Sequence, residues 1–502
     1  MNKKDALKTF NEFRKKIDAY SLVIATTYFD KETVAPRGGN KYRNDKISFM
    51  SGEAFSISTD PKYIESIEYL NKCDLPFEKK REIALYKKEL DNIIKFTKED
   101  VIEYGKAQMD SFDAWEKAKN TNNFSLWQPH LLKLIELSKK RAKIRNAKKD
   151  PYDLYLDDFE EDMTKEKYDK FFKLVKKELI PLIKEVNKRQ DKIDDSFLYK
   201  YYPKEKQEKF MREVLLKYLG FNSSWGHMGV SEHPFTNYLS DNDIRITTSY
   251  NEHNISSCLF SVIHECGHAF YMHQIDHKYE GSVINYGVSS GMHESQSRFV
   301  ENYLGRRKSF WKSLYPKLQN YFPENLGDVT LDDFIKAINV SRSSLIRVDA
   351  DELTYPIHIL IRYELEKGIF EGKVDLKHLN KEWNKKYKEY LGIDVPNDRN
   401  GILQDVHWPD GNFGYFPTYA LGSAIGAQVL NKMEKSIKLD KCLENNEFNK
   451  VTKYLKDNLH KYGALYNYNN LLKKFTGSSF NPKYYINYLK KKYSKLYDIK
   501  VK

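Results

Sequence analysis

The sequence predicts a mainly α-helical fold, and three observations carry that prediction. Glycine (23 residues) and proline (15) are scarce in a chain of 502 residues, which disfavours turn-rich β-sandwich and collagen-like architectures. The 37 tyrosines and 28 phenylalanines supply bulky side chains to the large core that a chain of this length buries. Apolar residues also recur at helical spacing, as at Phe10, Phe13 and Ile17. We expect a helical N-terminal region, 1–200, followed by a second region, 201–502.

The first 200 residues are predicted to form long amphipathic helices, because lysine and glutamate fill the positions between the apolar residues. The segments KNTNNFSLW (119–127) and KKDPYD (148–153) are predicted helix breaks. From 221 to 254 the composition turns to glycine and serine, and the alternating segment DIRITTSY within it is typical of a strand. A small sheet is therefore expected inside an otherwise helical protein.

Downstream of that sheet the sequence returns to helical patterns. Residues 257–275 predict one helix, 281–291 a loop, and the helical pattern resumes at Met292. Helices are then predicted to continue from 331 to 391. A segment rich in Gly, Pro and Asn, 392–418, interrupts them before a helical C-terminal stretch.

Charge and cysteine usage point to a soluble cytoplasmic protein without a nucleic-acid partner. The formal net charge is +13, but the lysines are spread over the whole chain, and no basic motif of a known nucleic-acid-binding fold is present. The N-terminus lacks the apolar core of a secretory signal, and no run approaches the ~20 apolar residues of a membrane span, so no membrane partner is expected. The four cysteines include no C-x-x-C pair, which fits a reducing compartment.

The chemistry concentrates in SVIHECGHAF, 261–270, where two histidines lie four residues apart. Residues at this spacing share one helical face, with Cβ atoms about 5–6 Å apart, so His264 and His268 are predicted to present imidazole nitrogens to one zinc ion. Glu265 is rotated about 100° around the helix. It is placed to take a proton from a water molecule whose pKa the metal lowers. This division of roles is typical of metallopeptidases.

Coincidence is the alternative interpretation, since H-E-x-x-H arises by chance in roughly a few per cent of chains of this length. The flanking residues favour a metal site, because Val262, Ile263, Cys266 and their neighbours are uncharged, as in a buried helix. Two buried histidines and a glutamate without a cation would be costly. Cys266 points about 200° away from His264 and is interpreted as small core filler.

A catalytic zinc ion needs three protein ligands and one open position. The next predicted helix, GMHESQSRFVEN, offers Glu294, which we take as the third ligand. His293 and Glu301 are its competitors. Glu301 lies seven residues after Glu294 on the same face and is therefore also a candidate to support a ligand. His293 is also a candidate donor to a carboxylate.

Seven sequence blocks follow one another in a distinctive order. They are HPF (233–235), DIRITT (243–248), HECGH (264–268), HESQS (293–297), LIRVDADELTYPIH (345–358), GILQDVHW (401–408) and GYFPTYALG (414–422). In these blocks the chain resembles the carboxypeptidase Taq family, the thermostable zinc metallocarboxypeptidases. The resemblance implies an elongated, mainly α-helical metallopeptidase like neurolysin and the angiotensin-converting enzymes, with a deep cleft and a small sheet near the active site. It implies one continuous peptidase unit, in which region 1–200 lines or covers the cleft and region 201–502 is catalytic.

The resemblance also implies the activity and the site. The family releases single amino acids from peptide C-termini with broad specificity, commonly as a homodimer, with one zinc ion per chain that cobalt can replace. Carried over to this sequence, the ligands are His264, His268 and Glu294, and the general base is Glu265. Peptides with a free C-terminus are the implied partners.

Two positions depart from the family pattern. Glu161 and Asp162 stand where the family is expected to have Pro-Gly, and Val300 precedes Glu301 where the family usually has Trp. Neither departure touches a proposed ligand, but the second lies behind Glu294.

An exopeptidase must recognise the free α-carboxylate of its substrate, and a bidentate arginine suits that planar anion. Arg347 in IRVDAD is the first choice and Arg245 in DIRIT the second. The alternative for each is a structural pair with a nearby aspartate. His233 in HPF is predicted to shape the cleft rather than to bind the metal.

Hydrolysis also needs donors to the oxygen that becomes negatively charged. Tyr415 and Tyr419 in GYFPTY, and His407 in QDVHW with Asp405 to orient it, are the catalytic candidates. The alternative is that these aromatic residues are ordinary core in a tyrosine-rich chain.

Two other functions remain open from the sequence. An oligoendopeptidase or peptidyl-dipeptidase of related helical fold would share the metal site but would not release single amino acids from the C-terminus. A non-enzymatic scaffold or basic nucleic-acid binder would carry a dead motif, which the intact His264, Glu265 and His268 disfavour.

Overall fold

The computed structural model describes residues 1–500 and confirms the mainly helical fold. The helices before the sheet are α1 (Lys3–Thr33), α2 (Asn40–Ser58), α3 (Pro61–Leu70), α4 (Phe77–Asp91), α5 (Lys98–Thr121), α6 (Gln128–Asn146), α7 (Pro151–Phe159), α8 (Lys165–Asn187), α9 (Lys204–Phe210) and α10 (Leu216–Leu219). Both predicted breaks are confirmed, at the α5–α6 and α6–α7 junctions. Within residues 1–500, no helix combines the length and the apolar character needed to cross a membrane.

The small sheet lies where the sequence predicts it. Its strands are β1 (Gly226–Val230), β2 (Thr236–Ser240) and β3 (Asp243–Thr248), in the order β1-β3-β2. β3 runs parallel to β1 and antiparallel to β2. Its alternate residues Ile244 and Ile246 are fully buried, and β3 packs against the helix that carries the histidines. The sheet thus forms one side of the support for that helix.

Helices resume after the sheet. They are α11 (Ile255–His273), α12 (Ser290–Arg298), α13 (Lys308–Trp311), α14 (Tyr315–Tyr321), α15 (Pro323–Leu326), α16 (Leu331–Ala337), α17 (Tyr355–Phe370), α18 (Leu379–Leu391), α19 (Phe416–Ser436), α20 (Leu439–Glu444), α21 (Phe448–Asn458), α22 (Tyr468–Thr476) and α23 (Lys483–Leu496). The helices at 257–275 and after Met292 are confirmed within two residues.

The prediction of helices throughout 331–391 is wrong between α16 and α17. There the chain is irregular apart from one 3₁₀ turn at Arg347–Asp349. The side chain of Asp351 accepts hydrogen bonds from the backbone N–H groups of Arg342, Leu353 and Thr354. Such local bonds from a side chain to the backbone compete with helical bonding, which explains the interruption.

Residues 1–500 contain one large hydrophobic core, one small core and a cluster of four buried residues, Ile275, Tyr279, Ile284 and Leu465. A small core lies among α1, α3 and α4 and includes Phe10, Tyr63 and Ile83. The main core begins in α5 and continues through the C-terminal helices, so α5–α8 share it with the helices that follow the sheet. The division into regions 1–200 and 201–502 stays a prediction.

Glycines allow the three helices around the site to approach closely. A Cβ atom at Gly267 of α11 would lie 2.6 Å from the backbone oxygen of Gln296 in α12. On the other side of α12, a Cβ atom at Gly422 of α19 would lie 2.8 Å from Cβ of Glu294. Only glycine leaves room for these contacts. α12 is therefore held between α11 and α19, which brings Glu294 near the histidines of α11.

Candidate active site

A cleft with a cavity of 850 Å³ contains the predicted centre. His264, Glu265 and His268 line it from α11, Glu294 from α12, and Tyr415 and Tyr419 from the start of α19. Pro234 and Phe235, which precede β2, and Thr236, its first residue, form another wall. Four of the seven sequence blocks therefore contribute residues to one concave surface, whereas no residue of DIRITT, LIRVDADELTYPIH or GILQDVHW lines it.

His264, His268 and Glu294 form a group suited to a metal ion. One ligand atom from each lies within 4.8 Å of the others. Oε2 of Glu294 is 3.8 Å from Nε2 of both His264 and His268. Zinc bonds of ~2.0–2.1 Å place the ligand atoms of a tetrahedral site roughly 3.3 Å apart, so the donors present fit such an ion with a small contraction.

Glu301 and Arg298 hold two of these three side chains. Nδ1 of His264 lies 2.8 Å from Oε2 of Glu301, which directs Nε2 toward the other ligands. Nε of Arg298 donates to Oε1 of Glu294 over 2.7 Å. Glu301 and His293 were the alternatives to Glu294 as the third ligand. Glu301 contacts His264, whereas His293 hydrogen-bonds through Nε2 to the carbonyl oxygen of Tyr286.

Glu265 lies beside the ligands and is fixed by the sheet. Its Oε2 accepts a hydrogen bond of 2.6 Å from the hydroxyl of Thr236, whose Oγ1 also lies 3.1 Å from the backbone oxygen of Glu265. The residue is 7% exposed, and burial raises the pKa of its carboxyl group. One of its carboxylate oxygens is thus anchored to β2.

Tyr415 and Tyr419 place two phenols in the cleft wall. Their rings meet edge to face at 5.2 Å. Burial raises the pKa of both hydroxyl groups, so they stay protonated and able to donate hydrogen bonds at neutral pH. His407 lies behind them, with Nε2 3.3 Å from the hydroxyl of Tyr419. Burial and the charge of Arg347 lower the pKa of His407 to about 4, so its ring is neutral at pH 7.

Arg347 belongs to a buried charge cluster next to Tyr419. Its Nε and one terminal nitrogen donate to Oδ1 of Asp405 over 2.9 and 2.8 Å, and the other terminal nitrogen donates to the Tyr355 hydroxyl over 3.2 Å. Arg362 donates to the other oxygen, Oδ2 of Asp405, over 2.7 Å. Two guanidinium groups thus share one carboxylate, which leaves the cluster with excess positive charge. Of the five N–H groups of an arginine, these bonds leave two on Arg347 unused.

The structure brings neither Arg245 nor His233 into the cleft. Side chains alternate along a strand, so Arg245 faces away from the buried Ile244 and Ile246. It forms a bidentate pair with Asp243 at 2.9 and 2.8 Å and lies over the ring of Phe29 in α1. His233 is exposed on the β1–β2 connection, where its backbone oxygen accepts a bond from Ser231.

The departure at Glu161 and Asp162 adds an ion pair beside the cleft. Asp162 adopts a left-handed backbone conformation (φ 67°), which explains why glycine is favoured there. Glu161 forms a bidentate pair with Arg81 of α4 at 3.0 and 2.5 Å. Both Glu161 and Ala464, whose backbone oxygen Arg81 also contacts, line the cleft.

Thr236 and Arg298 are functional candidates that the sequence reasoning missed. Thr236 comes directly after the HPF block, but its contact with Glu265 depends on how β2 packs on α11. Arg298 had a usable signal, because a glutamate and an arginine four residues apart on a helix are neighbours.

The comparisons with known proteins agree over nearly the whole chain. Residues 9–493 match the family model described as carboxypeptidase Taq (M32) metallopeptidase. Carboxypeptidase 1 of Bacillus subtilis (strain 168) is 41% identical over 493 residues, which cover 98% of each chain. Thermostable carboxypeptidase 1 of Thermus thermophilus is 31% identical, covering 99% of this chain and 100% of its own. The crystal structure of the M32 carboxypeptidase from Deinococcus radiodurans R1 superposes with a TM-score of 0.95 at 30% identity, over 98% of this chain and 100% of that one. The chain belongs to the carboxypeptidase Taq (M32) family and is a metal-dependent carboxypeptidase that hydrolyses peptide bonds.

Proposed function

We propose that the protein is a zinc-dependent carboxypeptidase that releases single amino acids from the C-termini of peptides with broad specificity. The observation that carries this proposal is the His264–His268–Glu294 group with Glu265 beside it at the floor of an open cleft. Two imidazoles and one carboxylate are a donor set typical of catalytic zinc sites, and cobalt is expected to replace zinc in it. When bound, the ion supplies Lewis-acid activation of a water molecule.

Glu265 is proposed as the general base and proton shuttle. Its Oε2 is held by Thr236, and its other oxygen accepts the proton that the attacking water loses. The same carboxyl group then delivers that proton to the nitrogen of the leaving amino acid. A pKa raised by burial makes Glu265 a stronger base than an exposed glutamate.

Tyr415 and Tyr419 are proposed to donate hydrogen bonds to the carbonyl oxygen as it becomes negatively charged. Both line the cleft and stay protonated at neutral pH. His407 is proposed to orient Tyr419 through the contact between its Nε2 and the tyrosine hydroxyl.

Arg347 is proposed to bind the α-carboxylate of the substrate. Its support is the excess positive charge of the Arg347–Asp405–Arg362 cluster and the two N–H groups left on Arg347. Arg245 is less suited, because it is paired with Asp243 and lies on the face of β3 opposite to the buried Ile244 and Ile246.

A homodimer is proposed as the working assembly. None of the residues Asn40–Ser58 in α2 is buried within the single chain, although Tyr42, Phe49 and Phe55 are 70%, 65% and 47% exposed. A helix with this much exposed aromatic surface is suited to contact with a second copy. Sedimentation at twice the monomer mass is the expected observation.

A cytoplasmic location is proposed on the basis of cysteine chemistry. Cys73, Cys258, Cys266 and Cys442 are all free thiols, and Cys258 and Cys266 are completely buried. Unpaired cysteines are typical of a reducing compartment.

The proposal is tested on an N-blocked dipeptide with a free C-terminus. Hydrolysis is expected to stop after treatment with a chelator and to return with zinc or cobalt. The product is expected to be one free amino acid, and the C-terminally amidated analogue is expected to resist cleavage. Release of dipeptides from a longer peptide with a free C-terminus, or equal cleavage of the amidated analogue, would instead identify a peptidyl-dipeptidase or an endopeptidase.

A further inference from the structure

Arg298 is placed between the two carboxylates of the metal centre and takes no part in the mechanism above. Its Nε donates to Oε1 of Glu294 over 2.7 Å, and one terminal nitrogen donates to Oε2 of Glu301 over 3.1 Å. Its guanidinium carbon lies 4.4 Å from the ring centroid of Tyr355. The side chain is 17% exposed, so these contacts hold the planar group in one orientation.

The contact with Glu294 leaves only one of its oxygens for a metal ion. Oε1 is occupied by Arg298, whereas Oε2 is the oxygen 3.8 Å from both histidine Nε2 atoms. The hydroxyl of Ser297 has a single proton, and it lies closer to the backbone oxygen of Glu294 (2.9 Å) than to Oε2 (3.3 Å). Glu294 is therefore presented as a ligand through one oxygen.

The contact with Glu301 acts on a second ligand. Oε2 of Glu301 is shared between Arg298 and Nδ1 of His264, at 3.1 and 2.8 Å. A carboxylate that accepts from Nδ1–H fixes the tautomer and the orientation of the imidazole. One guanidinium group thus determines the positions of a carboxylate ligand and of the carboxylate that orients a histidine ligand.

We propose that Arg298 is a positioning residue that sets the metal affinity of the site by fixing Glu294 and Glu301 together. This inference rests on the proposed metal-dependent function. Two effects of the arginine oppose each other. Its positive charge repels a cation, but that charge is already balanced by the two carboxylates that it contacts. The positioning effect is larger, since loss of such supporting contacts typically lowers metal affinity by about 10- to 100-fold.

The test is the dissociation constant for zinc, measured on metal-free protein by competition with a chromophoric chelator. Arg298→Gln is expected to raise the dissociation constant by about 10- to 100-fold. Arg306→Gln is the matched control. Arg306 also lies near Glu301, with a terminal nitrogen 3.6 Å from its Oε1, but in the described structure it forms no ion pair with Glu294. Its dissociation constant is expected to stay within about threefold of the parent value, far below the loss expected for Arg298→Gln.

Urea unfolding of each metal-free variant shows whether the fold is kept. If a folded Arg298→Gln variant binds zinc as tightly as the parent, or more tightly, the positioning role is refuted. If Arg298→Gln does not fold, Arg298→Lys replaces it: lowered affinity supports the proposal, and unchanged affinity refutes it. A parent protein that binds zinc tightly but releases no amino acid would overturn the proposed function and leave the role of Arg298 intact.

Discussion

Replacement of Gly267 by alanine probes the close approach of α11 and α12 on which the metal centre depends. The added Cβ atom would lie 2.6 Å from both the backbone oxygen of Gln296 and Cα of Ser297, and 3.0 Å from the Ser297 nitrogen. All three are backbone atoms, so no side chain can rotate away. Because non-bonded heavy atoms settle near ~3.5 Å, the two helices must separate locally by about 0.9 Å.

That separation has an energetic and a functional consequence. Overpacking of this kind costs about 1–3 kcal/mol, of which the better helix propensity of alanine recovers up to about 1 kcal/mol. The larger effect is on activity, because the histidines move away from Glu294. A displacement of about 1 Å in an active site can lower the rate about 100-fold. We expect Gly267→Ala to fold with slightly reduced stability and to lose about two orders of magnitude in kcat/KM.

Urea unfolding and kcat/KM on the N-blocked dipeptide are measured for Gly267→Ala, for the parent and for a second glycine variant as the control. Gly105 lies in α5, and a Cβ atom there meets nothing within 4 Å. Gly105→Ala is therefore expected to stabilise the protein by up to about 1 kcal/mol and to leave kcat/KM unchanged. If Gly267→Ala hydrolyses the dipeptide as efficiently as the parent, the helix approach does not control the site.

The buried charge cluster gives two further predictions. The two arginines hold the pKa of Asp405 well below its usual range, so its stabilising effect is present above about pH 4 and is lost as the pH falls. Asp405→Asn is expected to lower the free energy of unfolding at pH 7 by about 3–5 kcal/mol, because two buried guanidinium groups lose their counter-charge. It is also expected to flatten the decline of that free energy in acid. Urea unfolding between pH 3 and 7 with the same profile as the parent would contradict this prediction. Arg347→Ala leaves Arg362 paired with Asp405, so the variant is expected to fold. Its KM is expected to rise about 10- to 100-fold, the effect of losing a hydrogen bond to a charged group. An unchanged kcat/KM would show that Arg347 does not bind the substrate carboxylate.

Local spacing explains why part of the site is predictable from the sequence. His264 and His268 share a face because they lie four residues apart on one helix, and the sequence places Glu294 on the next helix. The sequence also predicts Glu301 on the face of Glu294, although Phe299–Leu304 continue α12 as a π-helix rather than as an α-helix. The shared face of the two histidines depends on helix geometry alone, whereas the approach of Glu294 and Glu301 to α11 also requires the packing of two helices.

Contacts between distant segments were not predictable in the same way. Thr236 reaches Glu265 because β2 packs beside α11, and no periodicity links the two positions. Asp405 was proposed to orient His407, whereas it pairs with Arg347 and Arg362, which lie 58 and 43 residues away. Residues so far apart meet only through tertiary packing.

The central claim is that Glu265 moves the proton at a metal site formed by His264, His268 and Glu294. Its most direct test is kcat/KM of zinc-loaded Glu265→Gln on the N-blocked dipeptide, with the zinc content of the same sample determined. Glutamine keeps the shape and the contact with Thr236 but cannot accept the proton. We expect one zinc ion per chain and a loss of about 10²- to 10⁴-fold in kcat/KM. Hydrolysis as fast as that of the parent by the zinc-loaded variant would contradict the account.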